Sequence, residues 1–144
     1  MQVTFTKKTY SMAVLAYLIP TFVHGASWHL FFFKELYESF GIYTRANPII
    51  PLGFVSMLIQ GILLAYLYPF FHRPGNSLWR GFKFGMLMGL FLFSVSTIAN
   101  TAKIQVNHVE QWLLLQFVFH LIQFGVTGPL IALAYRDLNS FGAK

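Results

Sequence analysis

The residues with chemistry to offer stand inside oily stretches. In QFVFHLIQFGVT (116–127), Gln116, His120, Gln123 and Thr127 interrupt a run of phenylalanine, leucine, isoleucine and valine. At about 100° per residue the other three fall within roughly 60° of His120, so all four share one helix face. Upstream, Tyr17, Thr21 and Trp28 share a face with His24, whereas His29 falls about 140° away and is expected nearer the outer surface. Ser56 and Gln60 form a third short stripe. A polar group facing hydrocarbon costs several kcal/mol if unpaired, so these faces are expected to look inward.

Three kinds of chemistry suit such a set. Two histidines at one depth on different helices are what a b-type haem needs as axial ligands, which makes His24 and His120 the candidate pair for an electron-transfer subunit. Without a cofactor, His24, Thr21, Trp28, Gln60, Gln116, His120 and Gln123 describe a binding layer for a small molecule or lipid, with aromatic walls and a few convergent polar groups. The same residues also suit plain hydrogen bonding across helices, which fixes their register.

Catalytic chemistry is less well served. The acids Glu35, Glu38, Glu110 and Asp137 lie at or beyond the ends of the apolar runs, leaving no buried carboxylate pair and no intramembrane proton relay. Ser94 and Ser96 lack a GxSxG setting, and no glycine-rich loop follows a strand to cradle phosphate. His24 and His29 are five residues apart on different faces, unlike a one-face metal pair. The absence of cysteine removes disulfides, thiolate-held metals, c-type haem attachment and thiol nucleophiles. No catalytic residue is assigned, and the expected character is a non-enzymatic binding or accessory module.

The elements that must position these residues follow from composition. Of 144 residues, 56% are hydrophobic and only 10% charged, against about 25% charged in soluble domains. Runs at 11–33, 50–71, 79–102 and 111–135 are each long enough for a bilayer core that takes roughly 20 helical residues. Asn47, Pro48 and Pro51 open the second run, Pro69 and HRPGN (72–76) close it, and 107–110 precede the fourth. Short connections predict a single all-α domain, a four-span up-down bundle.

Lys7, Lys8, Arg73, Arg80, Lys83, Arg136 and Lys144 gather at one end, against Lys34, Arg45 and Lys103 at the other. By the positive-inside rule both termini are expected in the cytoplasm, in an inner membrane. The first run is too long for a cleaved signal peptide, and no A-x-A-like site follows it, so its retention is expected. The net charge of +6 sits beside apolar spans, which points to lipid headgroups as partners and not to nucleic acid.

With that topology His24, Gln60 and His120 each lie about 9 or 10 residues from the outer side, roughly 15 Å deep. They define a polar layer near the midplane, expected to open outward past Asn100, His29 and His108. Gly81, Gly85 and Gly89 make a double small-xxx-small pattern, a face for close helix packing and for association with a second copy or another membrane protein. FFFKELYESFGIYTRANP (31–48) keeps helical spacing with Lys34, Glu35 and Glu38, as an elbow lying along the membrane surface would. HRPGNSLWR (72–80) suits a turn whose arginines anchor at phosphates, and DLNSFGAK (137–144) a frayed tail.

The span pattern, and the segment HGASWHLFFFKELYESFG (24–41) with its small residues, Trp and second ring, then Phe and Lys, resemble the small four-helix bacterial inner-membrane proteins grouped under domain-of-unknown-function labels. That resemblance implies an integral membrane protein and carries over no catalytic residue.

Overall fold

The structure, a computed structural model, describes residues 6–42, 45, 47–71 and 76–135, among which every regular element is helical. The turn expected at 72–75 and the tail from 136 onward lie outside the described residues. The elements are α1 (Lys7–Ser27), α2 (Lys34–Ser39), α3 (Ile50–Leu67), α4 (Ser77–Phe93), α5 (Ala99–Thr101) and α6 (Val109–Ala134). Two π-helical segments extend the series: Trp28–Phe32 continues α1 and Ser94–Ile98 joins α4 to α5. A 3-10 turn, Tyr68–Phe71, ends α3.

Local chemistry sets the starts. The Thr6 side chain accepts from the Thr9 amide and caps α1, and Asn76 does the same for α4 through the Trp79 amide at 3.2 Å. Proline in the first turn of α3 costs nothing, because that amide would lack a helical partner anyway. Pro20 and Pro129 instead stand inside α1 and α6, where each removes one backbone donor and frees the carbonyl four residues earlier.

Among the described residues three stretches are long and apolar enough to cross a membrane: Ile50–Phe71, Ser77–Thr101 and Val109–Ala134. The expected first span is not among them, although α1 and its π-helical extension run from Lys7 to Phe32. Its hydropathy is diluted by Lys7 and Lys8 at the start and by Thr21, His24, Ser27 and His29 further along.

α6 is the central element, packed along α4 on one side and α1 on the other, with α3 against the far side of α1. α1, α3, α4 and α6 meet at the end where α1 begins and α6 ends. There Tyr17, Leu64, Ala65, Tyr68, Phe84, Phe124, Ile131 and Tyr135 form one buried cluster, tied by the Tyr135 hydroxyl donating to the Ala65 carbonyl at 2.7 Å. Towards the other end α3 leaves the group, and every residue from Ile50 to Ser56 is exposed. The helices are packed together at one end and splayed at the other.

The glycine stripe is spent inside the chain. A Cβ on Gly81 would sit 2.6 Å from the Gly128 carbonyl oxygen, and one on Gly85 would run into the Phe124 carbonyl. Gly81, Gly85 and Gly89 are therefore packing residues, as their spacing predicts, but the surface they form is covered by α6. This face is therefore turned to α6 and not to the outside.

The elbow differs too. α2 folds back against the start of α6, so that Tyr37 and Phe40 are buried with Trp28, Val106, Trp112, Leu115 and Phe119 in a second cluster. The Phe40 carbonyl accepts the Asn107 amide at 3.0 Å and the Ser39 carbonyl accepts the Asn107 side chain at 3.2 Å, pinning α2 to the loop before α6. Gly41, at φ 72°, ends this segment in a left-handed conformation that glycine adopts without strain. Lys34 and Glu38 stay exposed, paired at 3.9 Å.

Candidate functional site

Between the two apolar clusters lies the polar layer, and it is built in two parts. The first centres on Tyr17, which is fully buried. Its hydroxyl donates to Gln60 Oε1 at 2.5 Å and accepts from Gln123 Nε2 at 3.0 Å. Gln123 also reaches Thr21 Oγ1 at 3.4 Å, and Gln60 donates onward to Ser56 Oγ at 3.2 Å. One hydroxyl used as donor and acceptor at once thus joins α1, α3 and α6. Gly61 makes room for this, because the Tyr17 ring edge comes within 3.2 Å of where its Cβ would be.

The second part surrounds Phe119. The His24 ring stacks on Phe119 at 4.7 Å between centroids, His29 lies 4.9 Å from it and His120 follows it in sequence. His29 is thus turned inward against Phe119 and Tyr37 and not toward the outer surface. The reason is the π segment: Phe33 N–H bonds to the Trp28 carbonyl five residues back, at 3.1 Å, so the 100° phase used to place His29 does not hold there. The second π segment, Ser94–Ile98, stands on the opposite flank of α6, where Ser96 Oγ lies 3.3 Å from His120 Nε2. Both insertions bracket residues 119 and 120.

Other candidates fall at the edges of these groups. Gln116 Nε2 donates to the Tyr37 hydroxyl at 2.9 Å, joining the layer to the elbow. Trp28 packs between His24, Phe33 and Phe119, its indole N–H buried with no hydrogen-bond partner. Asn100 is turned back onto the Ser96 carbonyl at 2.8 Å, and His108 is exposed at the α6 cap with φ 51°. Tyr17 and Tyr37 are the residues sequence reasoning left out of the site. A tyrosine hydroxyl within an apolar run needs a partner when buried, and Tyr37 shares a helical face with Phe33 and Phe40; those were the available signals.

His24 and His120 do not fit a haem between them. A backbone carbonyl can only accept, so Nδ1 of His120, 2.7 Å from the Gln116 carbonyl, carries the proton and leaves Nε2 as the free lone pair. That Nε2 faces Ser96 on α4, away from α1. His24 Nε2 meets the Phe119 carbonyl at 3.3 Å and must carry hydrogen to bond there. The two rings serve opposite flanks of α6, and Phe119 stands beside His24 where a porphyrin face would be. The three histidines surround a phenyl ring instead of converging on a point.

Where α1 and α6 part, a cavity of about 130 Å³ opens, lined by Pro20, His24, Ile122, Gln123, Val126 and Thr127. Its polar rim is an imidazole and an amide; the Thr127 hydroxyl bonds back to the Gln123 carbonyl at 2.8 Å and presents its methyl. The chain matches no protein family model, no curated protein and no solved structure.

Proposed function

We propose that the chain is a four-span integral membrane protein of the inner membrane, an up-down bundle with both ends in the cytoplasm, serving as a non-enzymatic binding module for a small amphiphile. The observation that carries this reading is the cavity between α1 and α6, set against the hydrogen-bonded layer. α1 qualifies as a span because its polar side chains turn inward: Tyr17 and Thr21 are bonded to Gln123, and His24 to the Phe119 carbonyl. Beyond Lys7, Lys8 and Ser11 at its start, its exposed residues, Met12, Leu15, Ile19, Phe22 and Val23, are apolar. What remains for lipid to meet is oily.

Size limits the ligand. An engineered apolar cavity of about 150 Å³ takes a benzene ring, and pockets for whole drug-sized molecules start at roughly 300 Å³. A cavity of about 130 Å³ therefore seats one end of an amphiphile, its polar atom at His24 and Gln123 and its remainder in the bilayer. The π segments flanking the histidines support the same site, since such insertions occur frequently where helices bind or react. Mass spectrometry of protein purified in mild detergent tests this. A retained small lipid or amphiphile, lost from Val126→Phe while the fold persists, is the expected result; identical extracts from both proteins refute it.

A second reading, an accessory subunit, has its own observation: the exposed apolar length of α3 from Ile50 to Ser56, which a neighbouring membrane protein would cover. Recovery of monomer alone from native membranes counts against that reading.

A further inference from the structure

A second groove lies away from the polar layer. It has a volume of about 480 Å³ and runs between the 3-10 end of α3 and the first three turns of α4, lined by Phe71, Asn76, Trp79, Arg80, Lys83 and Phe84 with Leu87 at its far end. Unlike the cavity at His24, this is within the size range of sites that enclose whole small ligands.

Its chemistry is that of an anion site with an oily floor. Arg80 and Lys83 are three residues apart, which puts them side by side on one face of α4. Arg80 is half-buried, its guanidinium beside the Tyr68 hydroxyl, so its position is set by the core. Lys83 is exposed and lies over the Trp79 ring at 5.3 Å, which holds the ammonium near the groove mouth. Phe71 and Phe84, 5.2 Å apart between centroids, make the apolar wall. Charge balance points the same way: among the described residues the carboxylates Glu35, Glu38 and Glu110 all belong to the opposite end of the bundle. The start of α4 adds positive potential from its free amides and has no acid in its first turn.

We infer that this groove is a binding site for a phosphate-bearing anion, with Arg80 and Lys83 as the cationic pair and Trp79, Phe71 and Phe84 contacting the attached apolar or glycerol portion. The guanidinium, whose Nε and Nη1 are enclosed by the protein, supplies a fixed positive charge beside the groove, and the lysine a mobile point charge. A phospholipid headgroup and a soluble phosphate ester share that chemistry. The site is independent of the cavity at His24, and its test does not depend on what that cavity holds.

Native mass spectrometry of the full chain in neutral detergent separates the possibilities. Titration with phosphatidylglycerol, with phosphatidylcholine of the same acyl chains, and with glycerol 3-phosphate gives three affinities. The phosphate-site reading expects tighter binding of phosphatidylglycerol, or of glycerol 3-phosphate if the natural source is soluble, than of the zwitterionic lipid. Arg80→Gln with Lys83→Gln should weaken it by about 30-fold, roughly fivefold per charge. Lys83→Gln alone, at an exposed side chain, keeps the fold and should still lose about fivefold. Lys7→Gln with Lys8→Gln, which removes two charges at the same end but outside the groove, should change little. Equal loss from the two double variants would reduce the effect to diffuse surface charge and overturn the site, as would failure of both anions to bind better than phosphatidylcholine.

Discussion

Replacing Gly85 by alanine perturbs the tightest contact in the protein. The added methyl would run into the Phe124 carbonyl and stand 3.1 Å from the Gly128 Cα. Neither obstacle is a side chain that can rotate away, so α4 and α6 must separate along the crossing, loosening Gly81 against Gly128 as well. Overpacking of this kind costs about 1–3 kcal/mol. Alanine returns about 0.5–1 kcal/mol through better helix propensity. The net loss is about 1–2 kcal/mol, or roughly 2–8 °C in melting temperature for a chain of this size. Gly25 and Gly53 provide internal controls, because a Cβ at either meets nothing within 4 Å. Alanine there should be neutral or stabilising by up to about 1 kcal/mol. Thermal unfolding in detergent, followed by tryptophan fluorescence, measures all three variants. If Gly85→Ala melts no lower than Gly25→Ala and Gly53→Ala, the close backbone crossing of α4 and α6 is wrong.

The remaining predictions concern the polar layer. Tyr17→Phe removes a hydroxyl bonded to the buried amide of Gln123 and the half-buried amide of Gln60 and should destabilise by about 1–2 kcal/mol, since membrane hydrogen bonds average about 0.6 kcal/mol each and an abandoned amide adds its own cost. Gln60→Leu should cost less in the Tyr17→Phe background than alone, with a coupling of at least about 0.5 kcal/mol in denaturation experiments; additive losses would mean the pair does not interact. Purified protein should show no Soret band that depends on His24 or His120, and a band abolished by His24→Ala or His120→Ala would overturn the assigned ring directions.

Much of this architecture was legible in the order of residues, and the misreadings have physical causes. Proline and asparagine punctuation placed 50–71 correctly, and the other helix ends fall within a few residues of where the apolar runs stop. The spacing of Gly81, Gly85 and Gly89 announced a close crossing, but spacing cannot say which helix arrives; Gly128, opposite them on α6, was the unread half of the motif. His29 was misplaced because one π-helical turn shifts the phase of everything around it, and nothing in WHLFF marks that insertion. His24 and His120 come to the same part of the structure yet turn to different flanks of α6, since depth along a helix says nothing about rotation around it. The elbow, expected to lie along the surface, is held against the start of α6 by Tyr37 and Phe40 through partners at 106–119, a long-range contact that no local pattern encodes.

The central claim is that α1 crosses the membrane although its polar content hides it, because Tyr17, Thr21 and His24 are bonded inward. The chain has no cysteine, so single cysteines introduced at Lys8 and at Lys103 report sidedness cleanly. With a membrane-impermeant thiol reagent added to intact cells, four spans with a cytoplasmic amino end predict that Lys103→Cys is labelled and Lys8→Cys is protected until the cells are opened. Labelling of both positions from the same side would leave only three crossings and contradict the account.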